Sequence, residues 1–149
     1  MAIYYAQGPY DIRHTVPSSA FSRGALLIFT SASSISRVPT STASLGAVDN
    51  GTIVGISITD SLDSIDNKVP WLVAHPQTVY WSDATTGSQM TPGEKLDFEF
   101  TGNEFRVTTS VLTPIAVIYP EGGTQDIVGQ SAGSRVKITL DPTFLLFKS

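Results

Sequence analysis

The chain has no cysteine among its 149 residues. That excludes a disulfide framework, a thiolate metal site and a thiol nucleophile, and it leaves packing alone to hold the fold. Charge is scarce too: Asp, Glu, Lys and Arg make up 15 % of the residues. The nine Lys and Arg are scattered against 13 Asp and Glu, for a net charge of -4. A phosphate-tracking surface is not expected from that pattern, so nucleic acid is set aside as a partner. Long apolar runs are missing as well. The longest, residues 25–29 (ALLIF), is far too short to cross a bilayer and long enough for a buried strand. Residues 1–5 (MAIYY) lack the basic start and long apolar stretch of a secretory signal, so neither a membrane span nor export by that route is expected. Helical periodicity is nearly absent, and the best helical candidate, residues 60–66, amounts to a turn or two.

What is abundant is hydroxyl. Ser and Thr number 35, a bias toward strands and polar loops. The clearest two-residue alternation is KLDFEF at 95–100, with Leu96, Phe98 and Phe100 on one face and Lys95, Asp97 and Glu99 on the other. A turn at 101–104 and a second extended run from Phe105 to Val111 make this a hairpin. Residues 115–119 (IAVIY) read as a more fully buried strand closed by the turn signal at 120–123. Asn50-Gly51 is a strong tight-hairpin signal, because that pair accepts positive φ. After it, Val54, Ile56 and Ile58 share one face, and Gly55, Ser57 and Thr59 the other. Residues 135–140 (RVKITL) alternate as cleanly. The tail at 143–147 (TFLLF) is expected to dock, since left open it would be an aggregation hazard.

Turn signals recur at the short intervals of a sandwich or barrel. The expected architecture is therefore all-β: a single antiparallel β-barrel or β-sandwich over 21–149, preceded by an extended N-terminal arm over 1–20, where two prolines interrupt any sustained period.

Motifs that would carry catalysis lack their context. Residues 129–133 (GQSAG) match a nucleophile elbow around Ser131, but a strand follows where a helix is required and no histidine lies downstream as a base. His14 and His75 are far apart in sequence, with no nearby carboxylate pair to complete a metal site. Asp60, Asp63 and Asp66 lack the alternate-residue ligands and central glycine of a calcium loop. Residues 121–124 (EGGT) lack the lysine of a phosphate cradle, and Glu121 would repel the ligand. No enzyme activity, cofactor or metal is expected. The aromatics Trp71, Tyr80 and Trp81 remain. Tyr80 and Trp81 are adjacent on a strand, so one faces the core and the other faces out, as a protein contact or as a sugar-stacking ring beside Asp83.

Four segments taken in order carry a family resemblance: Gly24-Ala25-Leu26-Leu27-Ile28, Gly51-Thr52-Ile53-Val54-Gly55-Ile56-Ser57, Val79-Tyr80-Trp81-Ser82-Asp83 followed by Met90-Thr91, and Val136-Lys137-Ile138-Thr139-Leu140. Together they resemble the small β-barrel decoration, or cement, proteins that tailed bacteriophages place on the outside of their capsids. The chain departs from the family pattern in its N-terminal segment and in the inserted hairpin at 96–111. The resemblance implies a non-catalytic structural protein, made in the host cytoplasm and carried on the outer capsid surface of the virion. Its partners would be the major capsid protein and further copies of itself, as a trimer first and a dimer second. The implied contacts are Ile3, Tyr4, Tyr5 and Tyr10 of the arm burying apolar area on a neighbour, Arg13 pairing with a carboxylate, and Trp71, Tyr80 and Trp81 as further contact candidates. The competing expectation is a carbohydrate- or receptor-binding module of a phage tail or a secreted enzyme.

Overall fold

Residues 3–39, 48–61, 67–84, 93–101, 104–109, 114–119 and 135–147 are the ones described by the computed structural model. Among them are eleven strands and a short 3-10 helix at Pro142–Phe144. The strands are β1 (Ile3–Gln7), β2 (Ile12–Pro17), β3 (Leu26–Ser31), β4 (Ser34–Arg37), β5 (Ile53–Ser57), β6 (Val69–Val73), β7 (Val79–Asp83), β8 (Lys95–Thr101), β9 (Glu104–Thr108), β10 (Ala116–Ile118) and β11 (Arg135–Leu140). The protein is all-β, as its hydroxyl-rich, helix-poor sequence leads one to expect. Six strands form a sheet in the order β1-β7-β11-β10-β8-β9, and five close into a barrel in the order β2-β4-β3-β5-β6. Every barrel pairing is antiparallel but one. The seam between β2 and β4 is parallel and only two residue pairs long, Val16↔Ser34 and Pro17↔Ile35.

The largest correction concerns the N-terminus. Residues 3–17 are extended, as expected, but they are not an arm. β1 pairs with β7 in the register Ile3↔Ser82, Tyr4↔Trp81 and Tyr5↔Tyr80, and β2 pairs with β6 from Ile12↔Leu72 to Thr15↔Val69. The prolines that break the sequence period sit where a sheet tolerates them: Pro9 in the connection and Pro17 on the last residue of β2. Ile3 reaches the core with 1 % of its surface exposed.

Both sheets contribute to one cluster of buried side chains, with Tyr80, Leu96, Phe98, Phe105 and Ile138 from the open sheet and Leu26, Ile35, Ile53 and Trp71 from the barrel. This explains why some strands defy simple alternation. β5 is buried at all five positions, so Gly55 and Ser57, expected on a solvent face, lie inside. Gly55 is there because Trp71 is: a Cβ at position 55 would fall 2.5 Å from Trp71 Cε3 and 2.2 Å from the Leu72 carbonyl oxygen. Only glycine lets β5 and β6 approach around the indole.

The hairpin of β8 and β9 forms as expected, with Phe98↔Val107 and Glu99↔Arg106 in register. Asp97, expected to face water, is instead buried opposite Thr108, and its Oδ1 accepts a hydrogen bond from the Phe98 amide at 2.7 Å. The Asn50-Gly51 turn also forms, with Gly51 at φ 71°. It does not make a hairpin, because the neighbours of β5 are β3 and β6. Its work is to hold the tail: the Gly51 amide donates to the Thr143 carbonyl, Leu145 bridges Ile53, and the Leu146 amide donates to the Ile53 carbonyl. The tail is docked through buried Phe144 and Leu145. The hairpin turn at 102–103, the loop at 85–90, the Ser131 motif, residues 121–124, and Asp63 and Asp66 lie outside the described residues.

Candidate interaction surface

Five large hydrophobic side chains are exposed among the described residues, and four of them, Tyr5, Tyr10, Ile12 and Val16, fall between positions 5 and 16. The fifth, Leu146, belongs to the docked tail. The concentration follows from strand geometry. β2 alternates faces every two residues, so Ile12, His14 and Val16 share its outer face, and all three are exposed. The intervening side chains point the other way and anchor the strand. The Arg13 guanidinium lies 4.7 Å above the Phe147 ring, and the Thr15 hydroxyl accepts a hydrogen bond from Trp71 Nε1 at 2.9 Å. β2 thus presents an apolar row on a strand fixed by β6, by the buried indole and by the tail. At its N-terminal end the row meets Tyr10, whose ring packs edge-on against Tyr5 at 4.8 Å between centroids, while the Tyr5 hydroxyl donates to the Gly8 carbonyl.

The residues expected to make contacts divide sharply by burial. Ile3, Trp71 and Tyr80 are core residues, each 1 % exposed or less, so none can touch a partner without unfolding. Trp71 is the hub of the barrel wall, packed edge-on against Phe29 at 5.8 Å. Tyr80 is the inward member of the Tyr80-Trp81 pair. Burial pushes its phenol up to about 12. The His75 backbone and the Thr78 hydroxyl act in the opposite direction, but neither comes into hydrogen-bond geometry with the phenol oxygen.

No protein-family model matches this chain. No curated protein matches it either.

The remaining expected contacts are accessible in varying degree. Trp81 is half-buried with Lys137 Nζ 5.1 Å from its ring centroid, and Tyr4, its cross-strand neighbour, is half-buried with the Arg135 guanidinium 5.3 Å from its own. These cations lie over faces that a stacking ligand would need, and Asp83, expected beside Trp81 in a sugar site, is 6 % exposed. Tyr5 and Tyr10 are exposed as expected. Arg13 is exposed, but its position over Phe147 and its Nε at 3.7 Å from Asp11 Oδ2 assign it to the inner side of β2, away from the apolar row. Ile12, Val16 and Leu146 are exposed too, beyond the residues the sequence singles out. The sequence signal for the outer row is the alternation Ile12-x-His14-x-Val16, which lies between the two prolines that interrupt the period. His14 and His75 lie on different elements and are not brought together.

Proposed function

We propose that this chain is a structural virion protein that binds the outer surface of a bacteriophage capsid and stabilises contacts between major capsid protein subunits, acting as a homo-oligomer, a trimer first and a dimer second. The observation that carries the reading is the exposed row Ile12, His14 and Val16 on the outer face of β2, continued by Tyr10 and Tyr5. An apolar row held rigid by backbone pairing and by the Trp71–Thr15 bond loses little conformational entropy when covered, so more of its burial appears as affinity than it would for a free arm. Each contact is modest. A shell offers many equivalent sites, and an oligomer engaging several at once gains avidity without new contacts.

The test is co-sedimentation with shells assembled from the major capsid protein of the same virus. Deleting residues 2–17 would be uninformative, because it removes two strands and a core isoleucine. The appropriate variant is Ile12→Asp combined with Val16→Asp, both on exposed side chains. The chain is expected to co-sediment, and the double variant is expected to lose binding by roughly a hundredfold while its unfolding midpoint hardly moves. Binding unchanged in the double variant would remove β2 from the mechanism.

A further inference from the structure

We propose that the concavity on the inner side of β2, opposite the row just described, binds a neutral pyranose saccharide. It encloses about 390 Å³ and is walled by the β1–β2 connection, β2, the end of β6 and the C-terminal tail. That size is within the range of small-ligand sites, which span roughly 300 to 1,000 Å³. Its walls are held by backbone: the Val73 amide donates to the Asp11 carbonyl at 2.8 Å, and the Thr78 hydroxyl donates to the Pro9 carbonyl at 2.7 Å.

The lining suits a sugar in both of its chemistries. Tyr10, 56 % exposed and braced by Tyr5, and Leu146, 46 % exposed, offer an apolar wall for the C–H face of a pyranose ring. Beside that wall stand an acceptor and a donor within one hydroxyl spacing of each other, the Asp11 carboxylate and the Arg13 guanidinium, 3.7 Å apart. Neighbouring hydroxyls, each able to donate and accept, match that pair. Arg13, its guanidinium carbon 4.7 Å from the Phe147 ring centroid, lines the same cavity and brings its N–H donors to the wall. His75 adds a second donor. Its Nδ1 accepts the Gln77 amide at 3.1 Å, which assigns the proton of the neutral ring to Nε2. The adjacent opposite charges argue for a neutral ligand, since an acidic sugar would face Asp11 and an amino sugar would face Arg13.

The site goes beyond the capsid reading: it lies on the inner side of β2 and shares only Tyr10 with the end of the outer row, so Asp11 reports on the cavity alone and Ile12 and Val16 on the outer row alone. It is tested by following the amide spectrum of the whole chain during titration with the methyl glycosides of glucose, galactose and mannose, with N-acetylglucosamine, and with glucuronate as the charged control. At least one neutral sugar is expected to give saturable shifts confined to residues 10–13, 73–75 and 146–147. Asp11→Asn and Tyr10→Ala, both at exposed side chains, are each expected to weaken it by roughly tenfold, with Ile12→Asp neutral. No saturation by any neutral sugar, binding that survives either site substitution unchanged, or glucuronate binding as well as the neutral sugars would each overturn the proposal. None of these outcomes bears on shell binding, which is read from the Ile12 and Val16 variants.

Discussion

Tyr80 gives the sharpest test of how this chain divides its aromatics between core and surface. Its ring is fully buried and its hydroxyl is buried without a hydrogen-bond partner. An uncompensated buried hydroxyl costs about 1–3 kcal/mol, so Tyr80→Phe, which keeps the ring and removes only that oxygen, is expected to stabilise the protein by about 1 kcal/mol near neutral pH. The same burial makes a second, pH-dependent statement. The native phenol is raised to about 12, whereas the unfolded phenol titrates near 10. Between those values the native state holds a proton that the unfolded state has released. The contribution is therefore complete below pH 10 and is lost as pH rises toward 12, by about 2.7 kcal/mol for a shift of about two pH units. The phenylalanine variant lacks this loss. Urea unfolding of both proteins at pH 7 and pH 11 should show the advantage of Tyr80→Phe growing by about 1.4 kcal/mol at the higher pH. A variant less stable than the parent by about 1 kcal/mol at pH 7 would show that the phenol has a partner, and an advantage that does not change with pH would show that burial does not raise its titration.

Two other substitutions probe the barrel wall that supports β2. Gly55→Ala places a methyl group against the Leu72 carbonyl and the Trp71 ring, neither of which can retreat without breaking the β5–β6 ladder, and should cost about 3 kcal/mol or more in a denaturant melt. Thr15→Val leaves the Trp71 indole N–H without its acceptor and should cost about 1–2 kcal/mol by the same assay, accompanied by a shift in Trp71 fluorescence.

Much of the strand architecture is legible in the residues themselves. The alternation of 95–100 and 135–140, the apolar run at 25–29 and the docked tail all appear where periodicity places them, because those strands bury one face or end in a core. Alternation misleads where both faces are covered. β5 lies between the barrel interior and its neighbours, so Gly55 is a packing requirement that looks like a solvent-side position, and Asp97 is buried in a pattern that assigns it to water. Asn50-Gly51 specified a turn correctly but not its partner, since which strands pair depends on contacts across the chain. In the N-terminal segment Pro9 and Pro17 interrupt the period and make the sequence resemble an arm. Both sit at positions where no ladder hydrogen bond is needed, and the short runs between them are strands. For the contact surface, the adjacency of Tyr80 and Trp81 predicted correctly that one ring would be inside. It could not identify Ile12 and Val16, whose exposure depends on the two-sided anchoring of β2 by Thr15 and Arg13.

The proposed attachment of this rigid β body to a capsid shell through the outer face of β2 can be seen or ruled out in a cryo-electron microscopy reconstruction of the virus particle. Density for this body is expected on the outside of the shell, with Ile12, His14 and Val16 turned toward a major capsid protein subunit. A particle without the chain, or one that carries it with that face open to solvent, would contradict it.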